Sequence, residues 1–147
     1  MIDGNVVGFN CTFTTDSPFA WTHEIHQEVD GSATFTVNSA EKYREIYPLI
    51  EITLDTSENS RETVIISNLQ DTMSLKISLL PGDTTIIDCQ RSTIIDRTGL
   101  VSFEKLGISD VDYIYWPRLY HGTNTITIDG NATAVFKYRE PRKVGDY

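Results

Sequence analysis

Residues 124–139 read Asn124-Thr-Ile-Thr-Ile-Asp-Gly-Asn-Ala-Thr-Ala-Val-Phe-Lys-Tyr-Arg139. Apolar and polar side chains alternate on either side of Asp129-Gly130-Asn131, the period of a strand that buries one face. The pattern predicts strands over 124–128 and 132–139, and the Asp-Gly step between them predicts a β-hairpin. In the second strand Ala134, Phe136 and Tyr138 share one face, while Val135, Lys137 and Arg139 share the other.

The rest of the chain carries the same signal. Of its 147 residues, 43 are Ile, Val or Thr and only five are Ala. β-Branched side chains suit a pleated, half-buried surface, and Ala-poor sequence makes poor helices. Strand-like runs cover 5–15, 33–38, 49–54, 63–67, 73–80, 84–89 and 92–96. Leu80-Pro81-Gly82-Asp83 puts Pro and Gly at the two centres of a type II turn. Gln90-Arg91 forms the bend of a tight hairpin. Residues 97–112 are irregular and lead to Tyr113-Ile-Tyr-Trp-Pro117, an aromatic strand end. The exception is 39–46, where Asn38 followed by Glu41 reads as a capping box and Pro48 would stop a short helix. Nine or ten turn-separated strands predict an antiparallel β-sandwich with at most one or two short helices. With no repeat, linker or shift of composition, residues 1–147 read as a single domain.

Composition also excludes functions. A net charge of −9 argues against generic nucleic-acid or anionic-membrane binding. No apolar run approaches the ~18–20 residues of a membrane span, and Met1-Ile2-Asp3-Gly4 does not open a signal peptide. The Asn-X-Thr sequons at Asn10 and Asn131 are therefore read as chance matches. Charge is uneven: Lys137, Arg139, Arg142 and Lys143 against Glu140 and Asp146 leave residues 137–147 at +2, and the body at −11. A short basic tail of this kind is a solvated end or a docking strip for an acidic neighbour.

Catalytic patterns are absent. Cys11 and Cys89 lack zinc-ligand spacing, and both share parity with apolar neighbours, as buried free thiols do. In His23-Glu-Ile-His-Gln-Glu28, a strand would place Glu24, His26 and Glu28 on one hydrated face with His23 pointing away, and the helical zinc motif is missing. There is no Gly-X-Ser-X-Gly, no Gly-rich phosphate loop and no cofactor motif, and nothing places two carboxylates at glycosidase spacing. These absences predict a non-enzyme with no cofactor and no metal. Aromatics are more suggestive. Tyr115, Trp116, Arg118, Tyr120 and His121 crowd one stretch together with Tyr113, and such sets stack on sugar rings. The plainer reading places Trp116 in the core and Tyr120 at a sheet edge, with Trp21 as another core plug.

Several stretches taken together resemble a known family. They are Cys11-Thr-Phe-Thr-Thr-Asp-Ser-Pro-Phe-Ala-Trp21, Tyr47-Pro-Leu-Ile-Glu-Ile-Thr53, Gly82-Asp-Thr-Thr-Ile-Ile-Asp-Cys89, Trp116-Pro-Arg-Leu-Tyr-His-Gly-Thr-Asn-Thr-Ile-Thr-Ile128 and Tyr138-Arg-Glu-Pro-Arg-Lys-Val-Gly145. They resemble the C-terminal half of siphophage distal tail proteins, baseplate-hub components also found in prophages and tail-like particles of Gram-positive bacteria. The resemblance implies a galectin-like, jelly-roll sandwich on the periphery of a tail-tip ring. It implies a non-enzymatic structural module of the virion tail tip, assembled in the bacterial host cytoplasm. Its partners would be other tail, baseplate or receptor-binding proteins. The alternative is a carbohydrate-binding module for host cell-wall saccharides, using Tyr115, Trp116, Arg118, Tyr120 and His121. The expected docking residues are Lys137, Arg139, Arg142 and Lys143. In that family the N-terminal half forms the hexameric ring; without it, 147 residues are expected to be a monomer or weak dimer.

Overall fold

A computed structural model of the chain describes residues 19–39, 45–56, 59–108 and 114–143. One sheet holds β2 (Ile25–Asp30), β11 (Ala132–Tyr138), β4 (Leu49–Leu54), β7 (Thr84–Asp88), β8 (Thr93–Asp96) and β9 (Gly99–Leu100), side by side in that order. The facing sheet holds β3 (Ser32–Val37), β10 (Gly122–Asp129), β5 (Glu62–Asn68) and β6 (Ser74–Leu79). β1 (Phe19–Trp21) and β12 (Pro141–Lys143) form a separate two-stranded ladder. All these pairings are antiparallel, and the described residues contain no helix. The antiparallel β class expected from composition is borne out.

Alternation explains the two layers. Val29, Ile50, Ile52, Ile87, Ile94 and Phe136 of the six-stranded sheet are buried against Val64, Ile66, Ile77, Leu79 and Ile126 of the other. Each such side chain contributes about 1.5–3 kcal/mol when removed from water. Phe35 and Tyr138 stack across the layers with ring centroids 6.1 Å apart. The outer face of the four-stranded sheet is nearly all hydroxyl-bearing, with Thr34 and Thr125 oxygens 3.0 Å apart.

Residues 124–139 form two strands but not a hairpin. β10 lies in one sheet and β11 in the other, so Asp129-Gly130-Asn131 carries the chain across the sandwich. Alternation is blind to this choice, because inward-facing Ile126 and Ile128 can meet Ala134 and Phe136 across the layers as well as beside them. Gly130 has φ of 133°, beyond the roughly 60–90° of the type I′ turns that Asp-Gly hairpins use. A second arch, β2 to β3 through Gly31, nests on the first. β3 pairs with β10 and β2 with β11, and Ile128 donates its N–H to Gly31 O at 2.7 Å.

Other expectations divide similarly. The β7–β8 hairpin forms, and Gly82 at φ 87° fits its type II turn. The described part of 113–117 is not a strand; Leu119 makes one bridge to Ile46 instead. The expected helix over 39–46 falls mostly on 40–44, outside the described residues. At its ends the Asn38 amide donates to Glu140 Oε1, and Ile46 is extended in that bridge. The run 5–15, Cys11 and Tyr113 also lie outside the described residues. Trp21 is not a core plug, since 53% of it is exposed.

Asp96 ends β8 on the buried side. It accepts the Thr98 N–H at 2.8 Å and hydroxyl at 2.5 Å, and Arg61 lies 3.3 Å away. Burial alone would raise its pKa, but the Thr98 bonds and Arg61 outweigh it and hold the carboxyl below its ordinary value. Stability from a depressed carboxyl is present above its unfolded pKa of about 3.9 and is lost as pH falls through the folded value. Asp96→Asn is therefore expected to lower stability at neutral pH and to flatten its decline below about pH 4, as read by urea unfolding across pH. The arches give a paired test. A Cβ at Gly130 would lie 3.2 Å from both Thr63 O and Val64 Cγ2, whereas one at Gly31 meets open space. Gly130→Ala should cost about 2–3 kcal/mol and Gly31→Ala about 1 kcal/mol in the same measurement.

Candidate functional site

Three of the five aromatic-stretch candidates converge on Asp71, a residue the sequence reading passed over. Asp71 follows β5 in a turn, its N–H bonded to Asn68 O at 2.8 Å. Tyr115 donates its hydroxyl to Oδ2 at 2.5 Å, and Tyr120 donates to Oδ1. Arg118 Nε lies 3.4 Å from Oδ2, with the guanidinium 5.6 Å above the Tyr115 ring. Burial, then the bond to Asp71, pushes the Tyr120 phenol up to about 12 and raises Tyr115 as well. Both phenols therefore remain neutral donors at physiological pH.

Behind this cluster sit two amides with no exposure, Asn68 and Asn124. Asn68 Nδ2 donates to Asn124 Oδ1 at 3.0 Å and to Arg118 O at 2.8 Å. Asn124 accepts the Tyr120 N–H at 2.8 Å and donates to Tyr120 O at 2.7 Å. Buried amides need partners, and these find them in the irregular 114–121 segment that closes one end of the sandwich. Periodicity shows only that Asn68 and Asn124 occupy inward positions; their mutual contact depends on the pairing of β5 with β10.

The other two candidates point elsewhere. Trp116 packs at the core margin against Phe103, with centroids 6.3 Å apart and planes tilted by 58°. His121 Nδ1 is 2.8 Å from Ser39 O. The five residues thus form no common platform.

The basic set is also dispersed. Lys137 Nζ is 2.7 Å from Glu51 Oε1, and Arg142 is 2.8 Å from Glu140 Oε2. Glu140 is itself buried and accepts the Asn38 N–H at 2.9 Å. Lys143 is in register with Phe19 in the β1–β12 ladder. Arg139 is exposed and has no ion-pair partner among the described residues. In the His/Glu run, His26 and Glu24 pair at 2.8 Å on the outward face, and that bond lowers the Glu24 pKa. Cys89 is buried, and desolvation raises its thiol pKa far from nucleophilic use.

Two further outward features involve the six-stranded sheet. Ile86, Ile95 and Leu100 pair in one row across β7, β8 and β9, with Ile95 42% and Leu100 71% exposed. At the end where β11 leaves the sheet, a groove of about 590 Å³ is lined by Trp21, Glu24, Tyr47, Asp88, Arg91, Lys137 and Arg139 among others. Hydrophobic patterning hid the Trp21 wall, because Phe19-Ala-Trp21 has the composition of a core segment.

A family described as a phage tail C-terminal domain matches residues 19–138. The chain belongs to that family. Among solved structures, SPP1 Dit (gp 19.1) has a similar fold. That protein is described as a paradigm of the hub adsorption apparatus in phages infecting Gram-positive bacteria. The TM-score is 0.59 at 15% identity, over 84% of this chain and 49% of that one. This phage tail domain therefore spans about half the length of the solved relative. The phage-tail resemblance read from the sequence is borne out by the family match, and the fold it implied is shared with SPP1 Dit. No curated protein matches.

In the phage tail domain, Asp71 joins three side chains from a segment that lacks a sheet ladder of its own. Asp71→Ala would leave two phenols without their acceptor and Arg118 without its carboxylate. It should cost about 2–4 kcal/mol in chemical denaturation and give earlier amide exchange in 114–121 than elsewhere.

Proposed function

We infer that this domain is a non-enzymatic structural module of a phage or prophage tail-tip baseplate, docking a neighbouring tail or receptor-binding protein. The observation that carries this reading is the Ile86–Ile95–Leu100 row, which runs outward to β9, the last described strand of its sheet. Exposed apolar rows on a sheet edge are the material of protein interfaces, whose centres are depleted of charge. Membership of a phage tail family supports a tail setting, and the distal-tail resemblance would make the module the outer half of a longer protein whose other half forms a hexameric ring. The non-enzymatic reading is supported by how the reactive groups are used. Asp71, Glu140, Tyr115 and Tyr120 are held in internal hydrogen bonds, and the Cys89 thiol is sealed in the core.

The apolar row offers a cleaner test of docking than the basic strip. Charge reversal at Arg142 would leave buried Glu140 facing a like charge, so its effect on assembly would be indistinguishable from damage to the fold. Ile95→Asp with Leu100→Asp alters only outward positions and should leave the melting temperature within a few degrees. In a tail-assembly complementation assay the double variant is expected to reduce incorporation of the partner at least about tenfold. Normal, infectious tails from a folded double variant would overturn the docking reading.

A further inference from the structure

We propose that the groove between Trp21 and Tyr47 is a binding site for a neutral glycan chain. This goes beyond the docking reading and uses different residues. Trp21 is 53% and Tyr47 40% exposed, whereas most large apolar side chains among the described residues lie inside. The exposed part of the indole offers a face that matches the C–H face of a pyranose.

The polar lining narrows the chemistry. Glu24, Glu45 and Asp88 are balanced by Arg91, Lys137 and Arg139, so the groove carries no net formal charge on a protein of −9. A polyanion would find no excess of cations there, and a polycation no excess of carboxylates. An uncharged ligand rich in hydroxyls uses both signs, because each hydroxyl donates once and accepts from its lone pairs. Planar carboxylates and guanidiniums suit vicinal diols, which offer two such groups side by side. Several of these groups are held in place beforehand: Asp88 binds Arg91 at 3.0 Å, Glu24 binds His26 at 2.8 Å, and Lys137 binds Glu51 at 2.7 Å. The volume of about 590 Å³ lies within the ~300–1,000 Å³ of ordinary ligand sites.

The test is titration of the full chain with neutral hexasaccharides (cello-, malto-, laminari- and chitohexaose), read by calorimetry and tryptophan fluorescence. Poly(glycerol phosphate) and dextran sulfate serve as anionic probes. At least one neutral probe should bind with a Kd between about 1 μM and 1 mM, unchanged between about 0.05 and 0.5 M NaCl. Trp21→Ala and Arg139→Ala should each weaken binding at least about fivefold, Trp21→Tyr should retain most of it, and Trp116→Phe should leave it unaltered. No binding of any neutral probe at about 5 mM overturns the proposal. So does binding that survives Trp21→Ala, or binding confined to the anionic probes and lost in salt. The Ile95→Asp/Leu100→Asp variant should bind glycan normally, so failure of docking and failure of this site are separable.

Discussion

Ile128 donates its backbone N–H to Gly31 O at 2.7 Å, and that contact locks one arch onto another. Each arch delivers one strand to each sheet: β2 and β11 to the six-stranded layer, β3 and β10 to the four-stranded one. The two sheets are thus tied together twice at the same place. β4 and β5 then pair with the arch strands β11 and β10, and the remaining strands build outward from them. The separation of the layers is set here, since Phe136, Ile126 and Val29 must all fit between strands that the arches hold apart.

The same constraint explains what could be read from the sequence and what could not. A period of two reports which side chains face inward, and it located most of the strands from β3 to β11 within a few residues. It does not report which sheet receives a strand. The hairpin expected over 124–139 and the arch observed there bury the same side chains, and they differ only in the path of three residues around Gly130. The His and Glu donors of β2 obscure its strand pattern, although Val29 at its inward end is fully buried.

Local chemistry was legible where it acted locally, as at Pro81-Gly82 and Gln90-Arg91. It was illegible where partners are distant in sequence. Asp71 collects side chains more than forty residues away, and Asn68 meets Asn124 across 56. The aromatic density at 113–121 was a true signal with a structural meaning, since its hydroxyls anchor a segment that has almost no ladder. Surface chemistry divides by sheet as well. One outer face is a field of Thr and Ser hydroxyls, well hydrated and nearly free of charge. The other carries the apolar row, the Lys137–Glu51 and His26–Glu24 pairs and the groove.

The β1–β12 ladder gives the domain a mechanical character. Phe19 is opposite Lys143 and Trp21 is opposite Pro141, so the outermost pair joins the first and last residues of the ladder. Tension applied between residues 19 and 143 acts across the rungs and opens them one after another, the weak direction for a sheet. When both ends are held by the same body, the load runs lengthwise along both strands and no longer pulls the rungs apart.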